Sequence, residues 1–199
     1  MDGYRIVEFN GYKLCVNEEV YEPAEDSEIL ASILDVRQGE NVLDMGSGSG
    51  LLGIIASKMG GRVTSIDVNP YATEATLCSS RLNGVDLEVI NCDSITCLRE
   101  VKVDTLIFNP PYLPVYETSS WIGYSWSGGR GGVEVLLGVM RQVNAKNYYF
   151  VYSSFTDEEE ITRFLQDRGL EINKVKERVI GFEVLKAVKV VAKGDLGRA

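Results

Sequence analysis

The regular alternation of short apolar segments with helical segments after residue 40 constrains the fold more than any other feature. The predicted strands are 41–45, 62–66, 87–91, 103–108 and 147–152, and the predicted helices are 51–59, 71–82, 133–143 and 157–167, the last with Thr156 as its N-cap. Strands that alternate with helices form a parallel sheet covered on both faces. Residues 171–192 predict two more strands, broken near Gly181, that add an antiparallel edge. We therefore expect a doubly wound α/β fold with a mostly parallel, seven-stranded sheet.

The segment that precedes this alternation predicts a β-hairpin and one helix. Residues 4–9 and 12–16 alternate between apolar and polar side chains around Asn10-Gly11. That dipeptide suits a two-residue type I′ turn, in which both central residues take a positive φ. A helix is expected at 26–34, because acidic residues occupy its first turn.

The charge balance argues against a surface built for nucleic acid. The chain has 20 Lys and Arg residues against 29 Asp and Glu residues, which gives a net charge of -9 at pH 7. Proteins that bind nucleic acid usually carry a basic face. No apolar run approaches the ~20 residues that a membrane span needs, and the N-terminus has no signal-peptide core. We therefore expect a cytoplasmic protein with no membrane partner and with nucleic acid disfavoured as a partner.

The chain contains no histidine and four cysteines. Without an imidazole, neither Ser-His-Asp nor Cys-His catalysis is available, so the chemistry must proceed without that base. The cysteines form no CxxC pair, and we therefore expect no metal site and simple buried thiols in a reducing cytosol. These residues are Cys15, Cys78, Cys92 and Cys97.

A glycine-rich turn follows the first strand of the alternation, where residues 42–53 read VLDMGSGSGLLG. Glycine permits a positive φ and lets a ligand approach the backbone. In open α/β sheets, ligands bind at the carboxyl ends of the strands. Gly48, Gly50 and Gly53 match the dinucleotide pattern GxGxxG, with Asp67 at the end of the next strand. The turn therefore predicts a ligand site, but the motif alone leaves a dinucleotide open.

Three acidic residues at three successive strand ends favour S-adenosylmethionine as the ligand. Asp44 precedes the glycines, where it would repel a pyrophosphate but attract a ligand that carries an ammonium and a sulfonium. Asp67 can accept hydrogen bonds from both ribose hydroxyls, and Asp93 can accept one from the adenine amino group. We therefore expect a cationic adenosine cofactor.

The fourth predicted strand runs directly into Asn109-Pro110-Pro111-Tyr112. A planar NH2 group has two N–H donors, which the Asn109 side-chain oxygen and the Pro110 carbonyl can accept. Prolines restrict the backbone and would hold that carbonyl still. The Tyr112 ring can pack on the planar group. Together these residues would orient a nitrogen and stabilise the positive charge that develops there. The tetrad predicts methyl transfer to a planar nitrogen.

These motifs resemble the class I S-adenosylmethionine-dependent methyltransferases over roughly residues 20–192. Taken with the tetrad, the segment 21–27 (YEPAEDS) resembles the protein release factor glutamine N5-methyltransferases, and specifically their short archaeal and eukaryotic branch. The resemblance implies one domain over 1–199, with a hairpin extension at 1–20, a catalytic core at 21–192 and a tail at 193–199. It also implies methylation of the glutamine in the Gly-Gly-Gln motif of a translation release factor.

The family resemblance also implies roles for individual residues. The implied cofactor contacts are Ser27, Asp44, Gly46, Gly48, Asp67, Asp93, Ser94 and Asn109, and the implied substrate contacts are Asn109, Pro110, Pro111, Tyr112, Trp121 and Arg130. Of these, the catalytic residues are Asn109, Pro110 and Tyr112. By this resemblance Ser27 or its neighbours close over the cofactor, and Ser27 can also serve as a helix N-cap. The loop 113–132 covers the substrate groove, where its paired glycines would let a Gly-Gly-Gln backbone approach.

The same family branch implies a partner, a small zinc-binding activator subunit that adds a strand to the sheet. The predicted strand 87–91 is short and apolar and is expected at a sheet edge, where unpaired backbone groups invite pairing. An edge covered by the chain itself remains the alternative. Other functions also stay open: an adenine or guanine N-methyltransferase acting on RNA or DNA, a protein lysine methyltransferase, and a binding scaffold without activity.

Overall fold

A computed structural model of the protein describes residues 3–94, 96–98 and 101–194. Its strands are β1 (Arg5–Phe9), β2 (Tyr12–Val16), β3 (Asn41–Met45), β4 (Arg62–Asp67), β5 (Glu88–Asn91), β6 (Lys102–Phe108), β7 (Asn144–Ser153), β8 (Leu170–Ile180) and β9 (Glu183–Ala192). Its helices are α1 (Glu25–Ala31), α2 (Leu51–Lys58), α3 (Pro70–Leu82), α4 (Trp121–Tyr124), α5 (Glu134–Gln142) and α6 (Glu158–Asp167), with a 3-10 turn at Arg130–Gly132.

Seven strands form one sheet in the order β5-β4-β3-β6-β7-β9-β8. The first five in this order run parallel, whereas β9 lies antiparallel between β7 and β8. Gly181 turns the chain between β8 and β9 with a φ of 59°. The predicted mostly parallel, seven-stranded α/β fold is therefore confirmed, including its antiparallel edge and the edge position of β5.

The central strands are buried on both faces, as parallel strands covered by helices must be. In β7, Tyr148 and Phe150 pack into a core shared with α5 and α6, whereas Tyr149 and Val151 pack into a second core shared with α1 and α2. Successive side chains of a strand point to opposite faces, so this alternation places a hydrophobic core on each side of the sheet. The two cores hold the strand ends in register.

The N-terminal hairpin forms a separate two-stranded sheet, as predicted. Asn10 and Gly11 have φ values of 48° and 83°, the positive pair that a type I′ turn requires. The hairpin packs on α3, where Asn83 accepts a hydrogen bond from the Lys13 amide at 3.3 Å and donates one to the Lys13 carbonyl at 2.7 Å. A lone two-stranded hairpin is barely stable in water, so α3 supplies its support.

Two helix starts differ from the sequence prediction. The N-cap of α1 is Ala24, without a side-chain hydrogen bond, and Ser27 lies inside the helix, so the prediction of Ser27 as an N-cap is wrong. The N-cap of α6 is Asp157, whose carboxylate accepts the Glu160 amide at 3.0 Å. Thr156 does not cap α6, because its hydroxyl instead accepts the Ser153 amide at 3.1 Å.

The cysteines are not free thiols, and that prediction is wrong. Cys15 is joined to Cys78, and Cys92 is joined to Cys97, each as a disulfide. Docking of the hairpin on α3 brings the Cα atoms of Cys15 and Cys78 to 6.0 Å although the two residues are 63 positions apart in sequence. That separation falls within the range that a disulfide spans. The pairing depends on tertiary contacts that the cysteine spacing does not reveal.

Candidate active site

A cavity of about 490 Å³ opens at the carboxyl ends of β3, β4 and β6 and beside the turn after β5. Ligands bind at this position in open α/β sheets, and the volume suits a small-molecule ligand. The predicted site residues that line it are Ser27, Gly46, Gly48, Asp67, Asp93, Ser94, Asn109, Pro111 and Trp121. The sheet topology therefore brings together most of the residues that the sequence singled out.

The glycine-rich turn forms one wall of the cavity with its backbone. The amides of Gly46 and Ser47 donate to the Ile66 carbonyl at 2.8 and 3.1 Å and fix the turn between β3 and β4. Gly46 and Gly48 have φ values of 64° and 55°, a region that other residues rarely adopt. A Cβ on Gly46 would also lie 3.2 Å from the Phe108 ring. Both glycines are therefore required by the backbone path.

Asp67 lies at the end of β4, where backbone amides hold its carboxylate. The Gly48 amide donates to one carboxylate oxygen and the Asn69 amide to the other, both at 2.9 Å. Loss of solvent raises the pKa of Asp67, and these donors act against that shift. Asp93 and Ser94 line the same cavity in the turn after β5, where Ser94 takes a positive φ of 55°. Asp67 and Asp93 therefore line the same cavity, at the ends of two neighbouring strands.

Asp44 does not line the cavity, although the sequence placed it among the ligand contacts. Its side chain is 1% exposed and lies beneath the glycine-rich turn. The Ser65 hydroxyl donates to its carboxylate at 3.1 Å. Loss of solvent raises the pKa of Asp44 to about 7, and the nearby charge of Asp67 adds to the rise. Asp44 is therefore a buried acid under the glycine-rich turn.

Asn109 follows β6 directly and is held in one orientation. Its side-chain nitrogen donates to the Asp26 carboxylate at 3.1 Å and to the Ser27 hydroxyl at 3.3 Å. Its side-chain oxygen, Oδ1, is buried and has no hydrogen-bond partner among the described residues. A buried acceptor without a partner is costly, so its presence beside a cavity points to a ligand donor.

Asp26 is the site residue that the sequence analysis missed. Its carboxylate accepts the Tyr21 hydroxyl at 3.1 and 3.2 Å, the Ser27 amide at 2.6 Å and, at the longer distance of 3.5 Å, the Tyr112 hydroxyl. The only sequence signal was its place in the segment 21–27, whose neighbouring serine was singled out instead. Burial, and then the charge of Asp26, raise the pKa values of Tyr21 and Tyr112. Both phenols therefore remain protonated donors at neutral pH.

Three other predicted residues lie off the cavity wall. Pro110 is buried behind it, and Tyr112 contacts Asp26 instead of facing the cavity. Arg130 is exposed in the 3-10 turn, where its backbone amide donates to the Glu134 carboxylate at 3.1 Å. The structure thus brings Tyr112 to the site through Asp26 and leaves Arg130 on the surface.

Local packing explains why glycines occupy the loop after β6. A Cβ on Gly128 would lie 2.8 Å from the Pro111 carbonyl, and one on Gly132 would collide with the Tyr112 carbonyl. The loop therefore packs directly on the tetrad. Its glycines permit this internal contact, which explains them without the predicted role in admitting a substrate backbone. Within the loop, Trp121 and Tyr124 pair their rings at 5.7 Å, and both line the cavity. This part of the loop therefore forms part of the cavity wall.

Acidic groups dominate the charged lining of the cavity. Among the described residues that line it, Glu19, Asp26, Asp67 and Asp93 are acidic, and none is Lys or Arg. The same described part of the chain contains no group of three or more acidic or cysteine side chains that could hold a metal ion. It also contains no helix long and apolar enough to cross a membrane.

Comparisons with known proteins identify the family. The profile of the family described as "Methyltransferase small domain" matches residues 21–123. A Methanocaldococcus jannaschii protein, provisionally named a protein N5-glutamine methyltransferase, is 32% identical over 194 residues, which cover 92% of this chain and 97% of that protein. Methyltransferase HEMK2 of Homo sapiens is 33% identical over 190 residues, covering 86% of this chain and 89% of that protein.

A solved structure supports the fold independently. The E. cuniculi Mtq2-Trm112 complex, described as responsible for methylation of the eRF1 translation termination factor, matches with a TM-score of 0.71 and 24% identity. The match covers 87% of this chain and 99% of the matched chain. The chain thus belongs to the methyltransferase small-domain proteins and, within them, to the protein N5-glutamine methyltransferase family.

Proposed function

We propose that the protein transfers the methyl group of S-adenosylmethionine to the side-chain nitrogen of a glutamine in the Gly-Gly-Gln motif of a translation release factor. The observation that carries this proposal is the Asn109 side-chain oxygen, a buried acceptor at the edge of the cavity that has no hydrogen-bond partner among the described residues. An amide NH2 group supplies the donor that this oxygen lacks. The Methanocaldococcus jannaschii relative is named for glutamine methylation, which supports the same substrate.

The residues present fit S-adenosylmethionine. The cavity volume suits a ligand of this size, and its charged lining is acidic, which favours a cation. A dinucleotide would instead place a pyrophosphate against a wall whose described residues include no Lys or Arg. We infer that Asp67 receives the ribose hydroxyls and that Asp93 and Ser94 contact the base. When bound, S-adenosylmethionine supplies the electrophilic methyl group.

The chain's own part in the reaction is to orient the nitrogen. We infer that Asn109 Oδ1 accepts one N–H of the glutamine, whereas Pro110, which does not line the cavity, makes no direct contact with the nitrogen. The acceptor at Asn109 would orient the nitrogen toward the methyl donor and stabilise the positive charge that develops on it. Asn109 is already oriented by Asp26 before substrate binds. After the methyl group is transferred, the cationic amide is strongly acidic and loses its proton to water, so no imidazole base is needed.

A lysine side chain is the second candidate acceptor, because an acidic cavity also favours an ammonium group. It fits the site less well, because a lysine ammonium must lose a proton before its nitrogen can attack and the chain has no histidine to take that proton. A nucleobase is disfavoured, because no Lys or Arg among the described lining residues could receive the adjoining phosphate.

The decisive experiment is methylation of a purified archaeal-type release factor, with labelled S-adenosylmethionine and a candidate activator subunit present. Mass spectrometry should place one methyl group on the glutamine of Gly-Gly-Gln, and a release factor with that glutamine changed to alanine should receive none. Asn109→Ala should retain cofactor binding and lose transfer by roughly 100-fold or more, the scale of a lost transition-state hydrogen bond. A methyl group found on lysine or RNA instead would contradict the proposal.

We further propose that a small partner subunit, zinc-binding in the related branch, pairs along β5. In the part of the chain that the structure describes, this strand lies at the edge of the sheet and pairs with β4 alone. Val89 and Ile90 are only half-buried there, so a partner strand would cover them. Hydrogen exchange should show new protection at residues 88–91 when the partner is added. Protection at the opposite edge, along β8, would contradict this placement.

A further inference from the structure

We propose that Asp26 is a positioning residue that holds the Asn109 amide with its oxygen free for the substrate nitrogen. This inference rests on the proposed role of Asn109 in nitrogen methylation. It assigns the segment 21–27 a task different from covering the cofactor, because that segment carries Asp26 to the tetrad across 83 residues of sequence.

The contacts define the orientation of the amide. Asn109 Nδ2 lies 3.1 Å from the Asp26 carboxylate and 3.3 Å from the Ser27 hydroxyl, so both of its nearest partners can accept its protons. A hydrogen bond to an ionised carboxylate is about twice as strong as one between neutral groups. Rotation of the amide by half a turn would place Oδ1 against the carboxylate, which repels it. The Asp26 charge therefore selects the orientation in which Oδ1 is the unpaired acceptor.

The same contacts exclude Asp26 as a general base. An ionised carboxylate offers about four acceptor sites. The donors that surround Asp26 are the Tyr21 hydroxyl, the amide and hydroxyl of Ser27, the Asn109 nitrogen and, at 3.5 Å, the Tyr112 hydroxyl. Its lone pairs are thus occupied, and its effect on the reaction passes through Asn109. Donation to the carboxylate also polarises the amide and strengthens Oδ1 as an acceptor.

The position of Asp26 in the fold makes it rigid. It lies in the first turn of α1, whose Ile29 and Leu30 are fully buried in the core beside α2. Tyr21, in the segment before α1, fixes the carboxylate from the other side. A residue that sets the orientation of a catalytic group needs this kind of support.

The test is a double-mutant cycle of Asp26→Asn and Asn109→Ala. In Asp26→Asn, the new amide can donate to Asn109 Oδ1 and stabilise the wrong orientation. We expect kcat to fall by roughly 10- to 100-fold while the KM for the acceptor changes little, as for a group acting in the transition state. Asp26→Asn added to Asn109→Ala should cause almost no further loss, because residues that act as one unit are not additive. Glu25→Gln, an exposed neighbour, is the matched control and should leave kcat unchanged.

Multiplicative losses in the double variant, or an unchanged kcat in Asp26→Asn, would overturn the proposal. Thermal unfolding and cofactor binding are measured on each variant, so that a folding defect is visible. If Asp26→Asn does not fold, Tyr21→Phe replaces it in the cycle. It should lower kcat by roughly 3- to 10-fold for one lost hydrogen bond, again without further effect on Asn109→Ala. The cycle is run on whichever nitrogen acceptor is methylated, so failure of glutamine as the substrate is distinguishable from failure of this inference.

Discussion

Asp44 shows how one buried acid couples stability to ligand binding at the scale of a single residue. It is 1% exposed, and loss of solvent raises its pKa to about 7. The shift from its ordinary value of 3.8 corresponds to a cost on the order of 4 kcal/mol for holding the charged form in the fold. A cation bound on the turn above would stabilise that charge. Asp44 was predicted from the sequence to contact the ligand, but its side chain is buried and does not line the cavity.

Asp44→Asn should therefore change the pH dependence of stability in a defined direction. Because the folded pKa is raised, the wild-type protein loses stability from this group as pH rises from about 4 to about 7. The asparagine side chain does not ionise. The difference in free energy of unfolding, variant minus wild type, should therefore increase by about 3 kcal/mol between pH 5 and pH 8. Thermal or urea unfolding without ligand measures this difference. Asp86→Asn, on the exposed surface, is the control. A difference that is constant with pH would contradict a raised pKa.

The same residue predicts a proton linkage in cofactor binding. A cation near Asp44 favours the carboxylate and lowers its pKa, so binding of S-adenosylmethionine should release a proton between pH 6 and pH 7. Calorimetry in buffers of different ionisation enthalpy counts that proton. The release should approach one proton per site near pH 6 and disappear in Asp44→Asn. Equal proton counts in the two proteins would assign the linkage to another group, with Asp67 the nearest candidate.

The packing of α2 against β3 involves the same buried acid. Gly53 is in the first turn of α2, where a Cβ would lie 2.7 Å from the Asp44 carboxylate and 2.8 Å from the Ser65 hydroxyl. The third glycine of the pattern therefore allows the helix to pack on the buried acid. The sequence pattern could indicate a close helix–strand contact at this glycine, but not that the contacted group is a carboxylate.

Gly53→Ala should destabilise the protein although alanine favours a helix. Overpacking costs about 1–3 kcal/mol in a tight site, which exceeds the ~1 kcal/mol that alanine gains in helix propensity. Gly138→Ala in α5 is the matched control, because a Cβ there meets nothing within 4 Å. The control should raise the free energy of unfolding, whereas Gly53→Ala should lower it. If both variants raised the free energy of unfolding, the contact between α2 and the Asp44 carboxylate would have room for a methyl group, and the prediction would be wrong.

At the scale of the whole molecule, the alternating pattern was sufficient to predict the sheet and its edges. Periodicity and turn residues are local, and they determine which segments become strands and which helices. Periodicity and turn residues do not indicate which segments far apart in sequence will contact each other. Asp26 reaches Asn109, and Cys15 reaches Cys78, only because α1 and the hairpin dock on the sheet and on α3. Most residues that line the cavity were therefore predictable from the strand ends, whereas the hydrogen bond between Asp26 and Asn109 was not.

The disulfide between Cys15 and Cys78 is the covalent tie between the hairpin and the rest of the molecule. It closes a loop across 63 residues, whereas the Cys92–Cys97 bond spans a sequence separation of 5. A cross-link restricts the unfolded chain more when its loop is longer. Removing the long one should therefore cost more, and it should also release the hairpin from α3.

Comparison of two paired variants tests this difference. Cys15→Ala with Cys78→Ala should lower the free energy of unfolding by about 4 kcal/mol, and Cys92→Ala with Cys97→Ala by about 2 kcal/mol. Denaturant unfolding measures both, and hydrogen exchange should show faster exchange in β1 and β2 for the first pair alone. Alkylation of the unreduced, denatured wild-type protein should label no cysteine. Labelled thiols would show that the disulfides are not formed. Equal losses of stability in the two variants would also contradict the prediction, because only a formed cross-link makes stability depend on loop length.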